Sequence, residues 1–215
     1  MNDQYFSREP SAASRPAACA YTYRGHALRC ATDSGVFSRG ELDSGTRLLL
    51  DALPENLTGD VLDLGCGWGA VGVAVAKANP ACRVTSTDVN LRAIALTQDN
   101  AKANGVTLEC LESDGLAAVA GRRFQTIITN PPIRAGKETV YRLFREAAEA
   151  LLPGGALYVV IRKQQGGDSA MKYLATLLEG VEKIARSGGF WVIRGIKADS
   201  RQEQLSYLAV NRRTN

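Results

Sequence analysis

The stretch Val61-Leu62-Asp63-Leu64-Gly65-Cys66-Gly67-Trp68-Gly69-Ala70-Val71-Gly72 decides the fold. Residues 61–64 are an apolar run of strand length. The glycines that follow allow a tight turn and a close backbone approach to a ligand. The apolar residues after them continue as a helix to about Ala78, where Asn79-Pro80 stops it. A strand that turns through glycine into a helix leaves free N–H groups and a partial positive charge at the helix start.

Working outward, residues 83–87, 107–111, 126–129 and 157–161 read as further strands. Between them the sequence predicts helices over 90–104, closed by Gly105, over 138–151, closed by Pro153-Gly154-Gly155, and over 169–179. Strands near 181–185 and 190–196 flank Ser187-Gly188-Gly189, a hairpin signal. Upstream, residues 1–19 read as a Ser-, Ala- and Pro-rich arm, and 20–215 as one domain. That domain opens with a hairpin, 20–23 and 26–31 around Arg24-Gly25, and a loop over 33–38. Asp43 then caps a helix through Arg47-Leu48-Leu49-Leu50 that stops before Pro54. Alternating strands and helices imply an α/β, Rossmann-like domain, its mostly parallel sheet covered on both faces and ended by an antiparallel hairpin at the edge.

Composition narrows the chemistry. The chain has 215 residues, 45% of them hydrophobic, which suits one globular domain. No apolar run reaches membrane-helix length, and the N-terminal residues lack the apolar core of a signal peptide, so a cytoplasmic protein is expected. The five cysteines (Cys19, Cys30, Cys66, Cys82 and Cys110) are odd in number and show no CxxC spacing, which argues against a disulfide framework and a zinc site. His26 is the sole histidine, so zinc hydrolysis and Ser-His-Asp catalysis lack their imidazoles; no metal is expected. Net charge is +4, split as −1 over residues 1–107 and +5 over 108–215, with Arg favoured over Lys. A basic, Arg-rich half fits a polyanion or is simply a solvated face.

Gly67-x-Gly69-x-x-Gly72 satisfies the dinucleotide fingerprint, so a nucleotide-bearing cofactor is expected, with its identity open on this segment alone. Asp88, at the end of the second strand in Ser86-Thr87-Asp88-Val89-Asn90, is placed to accept from ribose hydroxyls; the alternative is a helix cap. Asp114-Gly115 after the third strand offers a carboxylate to an adenine amino group, or is only a turn.

The segment Thr126-Ile127-Ile128-Thr129-Asn130-Pro131-Pro132-Ile133 points to the reaction. Two prolines after a β-branched strand cannot continue the ladder. They fix a rigid loop at the carboxyl end of the strand, the ligand side of such sheets. The Asn130 amide oxygen and the Pro131 carbonyl can both accept from one exocyclic NH2, orienting its lone pair for in-line attack on an electrophile. Positioning and electrostatics then carry the rate. Arg134-Ala135-Gly136-Lys137 has the outline of a P-loop but fails it, with Pro131 in place of the first Gly and Glu138 in place of Ser or Thr.

Together, Asp-Leu-Gly-Cys-Gly-x-Gly at 63–69, Asp-Val-Asn at 88–90 and Asn-Pro-Pro-Ile-Arg-x-Gly-Lys at 130–137 resemble the methyltransferase small domain family over roughly residues 20–200. Val36-Phe37-Ser38 and Leu42-Asp43-x-Gly45-Thr46 match its approach to the first strand. The resemblance implies a class I fold with seven strands, the last antiparallel, and S-adenosylmethionine (SAM) as cofactor. It implies SAM over Asp63, Gly65, Cys66, Gly67 and Gly69, its ribose at Asp88, Val89 and Asn90, and its adenine near Asp114 and Gly115. Asn130, Pro131, Pro132 and Ile133 would hold the target amine, with Asn130 also beside the cofactor. Phe37 would wall the site, and Arg134 and Lys137 would meet substrate beside it. The implied activity is guanine-N2 methylation of small-subunit ribosomal RNA, with ribosomal RNA or the small subunit as partner. The best-known members carry an additional N-terminal domain of similar fold, for which this sequence has no room; it resembles a shorter, single-domain branch of the family. Adenine-N6 and protein glutamine-N5 methylation are the near alternatives, with Ile133 favouring guanine because those relatives often have an aromatic residue there. A nicotinamide-dependent dehydrogenase and a non-catalytic SAM-binding module are the remote ones. Gln164-Gln165-Gly166-Gly167 has the look of a functional loop without an assigned role.

Overall fold

The computed structural model describes residues 7–199, so residues 1–6 of the expected arm and 200–215 of the expected domain lie outside it. A two-stranded hairpin, β1 (Ala17–Tyr23) and β2 (His26–Thr32), precedes the main sheet. That sheet contains β3 (Gly59–Leu64), β4 (Cys82–Asp88), β5 (Glu109–Glu112), β6 (Phe124–Thr129), β7 (Leu151–Arg162), β8 (Glu179–Ser187) and β9 (Phe190–Ile196), in the order β5-β4-β3-β6-β7-β9-β8. All pairings from β5 to β7 are parallel. Among the described strands of this sheet, only β9 runs against the rest, inserted between β7 and β8. The expected class I sheet is thus present, but its antiparallel strand lies one place in from the edge, and the edge strand β8 runs with β7.

Among the described residues, five helices cover the sheet: α1 (Ser44–Ala52), α2 (Ala70–Ala78), α3 (Leu91–Ala103), α4 (Lys137–Ala150) and α5 (Gly167–Leu174). Helices α1, α2 and α3, with the N-terminal hairpin, close one core, and α4 and α5 close the other. Val61 belongs to the first core and Leu62 to the second; Ile128 and Ile127 divide likewise on β6. Being buried on both faces, these strands read as continuous apolar runs rather than alternating ones. Each fully buried Val, Leu or Ile contributes about 1.5–3 kcal/mol.

The helix starts follow side-chain caps. Asp43 accepts from Thr46 N at 3.0 Å, and Asn90 accepts from Arg92 N at 2.9 Å. Asn90, not Asp88, is therefore the cap of α3. Several boundaries differ from the sequence reading. Pro153-Gly154-Gly155 ends no helix; it lies within β7 as a register shift against β6, satisfied by Gly154 N to Lys197 O and Lys197 N to Gly155 O. Helix α5 stops at Leu174, not near residue 179, and the Thr176 hydroxyl bonds the Tyr173 carbonyl at 2.6 Å in competition with the helix ladder. β1 also begins at Ala17, before residue 20, and residues 8–15 pack against the start of α3 and the loop after β2. Leu91 N donates to Arg8 O, and Ser14 and Arg15 donate to Asp33. Among the described residues, no helix is long and apolar enough to cross a membrane.

Candidate active site

Strands β3, β4, β5, β6 and β7 all deliver their carboxyl ends to one cavity of about 720 Å³. Its floor is the turn between β3 and α2. Gly69 is the N-cap residue of α2 at φ 89, a left-handed conformation that a Cβ would strain, and it offers no side-chain cap. Asp63 supplies what Gly69 lacks: its Oδ2 accepts from Gly72 N in the first turn of α2 at 2.8 Å. Gly72 permits that approach by its size, since a Cβ there would lie 2.4 Å from Ser86 Oγ and 3.0 Å from Asp63 Oδ2. Burial pushes the Asp63 carboxyl up to about 7, opposed by the Gly72 bond and reinforced by the charge of Asp88.

Asp88 stands opposite, at the end of β4. Its Oδ2 accepts from Gly67 N and its Oδ1 from Asn90 N, both at 2.9 Å, so the carboxylate is fixed while its edge faces the cavity. Burial raises its pKa, and the backbone N–H groups of Asn90, Gly67 and Val89 oppose the rise. The Thr87 hydroxyl, on a residue that lines the cavity, is buried without a hydrogen-bond partner. Two carboxylates and an orphaned hydroxyl fit a nucleoside whose ribose diol donates hydrogen bonds and whose other end is cationic, as SAM's is.

Asp114 and Gly115 line the same cavity from the end of β5, and Asp114 is held by Arg142 of α4 at 2.6 Å. Arg142 also pairs with Glu146, whose second oxygen accepts from Leu116 N, so the loop is braced against α4.

Across the cavity, Asn130 donates through its Nδ2 to Thr46 Oγ1 at 3.0 Å and toward Asp43 Oδ2 at 3.5 Å. A carboxylate on that side requires the amide nitrogen there, which turns the amide oxygen away from α1. Pro132, at φ −75 and ψ 79, is the centre of an inverse γ-turn, with Ile133 N donating to Pro131 O at 2.9 Å. The Pro131 carbonyl keeps one lone pair for another donor.

Of the residues expected from sequence, Asp63, Gly65, Cys66, Gly67, Asp88, Val89, Asp114, Gly115, Asn130, Pro131, Pro132, Ile133, Phe37 and Arg134 all line the cavity. Three do not. Gly69 lies beneath the turn against Thr97. Asn90 is buried, its side chain spent on the α3 cap and on Gly35 O at 2.7 Å. Lys137 opens α4, and its ammonium sits 5.1 Å from the Tyr141 ring one turn on. The sequence reading missed Thr46, Arg142, Arg162 and Phe190, which also line the cavity. It gave Gln165 no role; the structure places it on the rim. Among the described residues, no group of three or more metal-binding side chains converges.

Comparisons with known proteins place the fold and the family. The family described as "Methyltransferase small domain" matches residues 27–194. The Bacillus subtilis (strain 168) protein YbxB is 38% identical over 200 residues, 92% of this chain and 100% of that one. The ribosomal RNA large subunit methyltransferase G of Pseudomonas putida (strain W619) is 36% identical over 201 residues, 89% of this chain and 52% of that protein. Among solved structures, the T. Thermophilus 16S rRNA N2 methyltransferase (RsmC), in complex with AdoMet and guanosine, superposes with a TM-score of 0.78 at 27% identity, covering 86% of this chain and 51% of that one. The chain thus spans about half the length of these two methyltransferases. Carboxylates at the ends of β3 and β4 face a glycine turn, an anchored Asn-Pro-Pro loop stands opposite, and the family match runs through both: the chain belongs to the methyltransferase small domain family, with the class I fold and SAM as its cofactor.

Proposed function

We propose that the protein transfers the SAM methyl group to the exocyclic amine of a base in ribosomal RNA, with guanine N2 of the small subunit as the target. The anchored Asn130 amide supports this reading: with its nitrogen held at Thr46 and Asp43, its oxygen is presented as an acceptor beside the Pro131 carbonyl. Two acceptors bind the two hydrogens of one amine and draw its lone pair out of conjugation. SAM, when bound, supplies an electrophilic methyl on a sulfonium. The chain's own part is placement: Asp88 takes the ribose diol, Asp63 faces the cationic end, and Asn130 and Pro131 aim the nucleophile. Ile133, aliphatic where an aromatic stacking residue would suit adenine or glutamine, favours guanine. The relatives act, by name, on different subunits: one on 16S rRNA at guanine N2, another on the large subunit. Guanine N2 and the small subunit follow the structure-level likeness.

Mass mapping of ribosomal RNA from a strain lacking the protein, before and after treatment with purified protein and SAM, tests this. Restoration of one N2-methylguanine in 16S rRNA is expected. A methyl group restored in the large-subunit RNA, on adenine, or on a protein glutamine would overturn the substrate assignment.

A further inference from the structure

Beyond the amine site, the end of β7 turns a corner crowded with positive charge. Because β8 runs parallel to β7, the β8–β9 hairpin tip at Ser187-Gly188-Gly189 lies at the same end of the sheet as Arg162, the end at which the cavity opens. Arg162 and Gln165 are on the cavity rim, and Lys163, between them in sequence, is tied to the hairpin by its N–H to Gly189 O at 2.9 Å. Lys163 Nζ lies 5.7 Å from the Trp191 ring and Lys183 Nζ lies 4.0 Å from the same ring. Arg186 is the direct cross-strand partner of Trp191, so its side chain leaves the same face. Three exposed cations therefore gather around one buried indole.

None of the three pairs with a carboxylate among the described residues; Glu182, the acid beside them on β8, is taken by Arg194. Like charges held together repel, and cation–π contact fixes the two ammonium groups without neutralising them. A partner that supplies negative charge relieves that repulsion. The corner is continuous with the mouth into which the proposed base must be turned, and a base pulled out of its stack drags its flanking phosphates to that mouth.

We propose that Lys163, Lys183 and Arg186, around Trp191, form a phosphate-binding surface for the RNA strand that flanks the target nucleotide. This rests on the ribosomal RNA reading above. None of the three residues lines the cavity, so cofactor binding and the amine site are untouched by their removal.

The test compares wild type with the triple variant Lys163→Ala, Lys183→Ala, Arg186→Ala, using a fluorescent 20-nucleotide single-stranded RNA and the ribosomal RNA of the deletion strain. Three lost phosphate contacts reduce the slope of log affinity against log salt by about 2, at roughly 0.7 per contact on a single strand. With affinity extrapolated to 1 M salt unchanged, that corresponds to roughly 50-fold weaker binding at 0.15 M salt. SAM affinity by calorimetry stays at the wild-type value and reports an intact fold. A Lys163→Arg, Lys183→Arg variant keeps the wild-type slope. Wild type that methylates the RNA beside a triple variant with unchanged slope and affinity overturns this proposal and leaves the parent reading standing. Wild type that neither binds nor methylates the RNA overturns both. Normal binding of naked RNA by the triple variant, with loss only on the assembled subunit, assigns the corner to a ribosomal protein and also overturns the proposal.

Discussion

Replacing Asp63 by Asn should stabilise the free protein and weaken its hold on SAM, two effects of opposite sign from one oxygen-to-nitrogen change. Asp63 is buried at the end of β3, and its carboxyl is pushed up to about 7 from the ordinary 3.8, first by burial. Its folded pKa thus lies above its unfolded one, so the native state holds a proton that the unfolded chain has released. The associated stability is complete below about pH 4, declines as pH rises, and is lost above about 7. A rise of about 3 units corresponds to about 4 kcal/mol for ionising the buried group, an upper bound where water reaches the cavity. Asn never ionises, and its oxygen can still accept from Gly72 N, keeping the first turn of α2 capped. At pH 8 the variant should therefore unfold at higher denaturant, by about 2–4 kcal/mol. SAM presents an ammonium, and only ionised Asp63 meets it with full charge. Wild-type SAM affinity should fall about tenfold per pH unit below 7, while the variant should bind roughly 10- to 150-fold more weakly at pH 8, with little pH dependence from this group. Urea titrations at pH 5 and 8 with calorimetry over the same range decide it. A variant less stable than wild type at pH 8, or wild-type SAM affinity flat between pH 5.5 and 8, would refute the reasoning.

Further substitutions separate the two halves of the site. Asp88→Ala should weaken SAM roughly 10- to 150-fold by calorimetry, since charged hydrogen bonds are worth about 1.5–3 kcal/mol; unchanged SAM affinity would remove Asp88 from the cofactor site. Asn130→Ala should keep most SAM affinity and lower turnover by about 10²–10³, in line with removal of one preorganised polar group; wild-type turnover would reduce the loop to a turn. Thr46→Val removes the 3.0 Å anchor of that amide and should lower kcat roughly 2- to 12-fold with SAM affinity intact, Thr46→Ser restoring it; failure of Ser to rescue would argue against an anchoring role. Gly72→Ala places a methyl against Ser86 and Asp63 and should cost about 1–3 kcal/mol, seen as a Tm roughly 2–12 °C lower; an unchanged Tm would show that α2 can shift freely.

Most of the fold was legible because its punctuation is local. Asn79-Pro80 ends α2, Asn104-Gly105 ends α3, and Asp43 starts α1, each through a backbone rule acting within a few residues. The β7 irregularity was misread because Pro153-Gly154-Gly155 has the composition of a loop; its pairing with Lys197 is invisible locally. The cavity floor was legible for the same reason as the fold, since glycines and the acids at strand ends carry it. Thr46 was not, because its bond to Asn130 joins residues 84 apart. Arg142 likewise meets Asp114 only through the packing of α4 against the loop after β5. Lys137 and Asn90 lie off the cavity for readable reasons: an aromatic residue four positions on draws the lysine along its helix, and an Asn before a helical run is first a cap.

The order of the strands has a consequence for how such a protein can diversify. From β3 outward in one direction lie β4 and β5, bearing Asp88 and Asp114; in the other lie β6, β7 and β9, bearing Asn130, Arg162 and Phe190. On the proposed reading, holding the donor and choosing the recipient are thereby allotted to opposite wings of a single sheet, hinged on the glycine turn. On that reading, loops on the recipient wing can be rewritten, lengthened or recharged without disturbing the donor wing, so one scaffold could serve unlike substrates with the same cofactor.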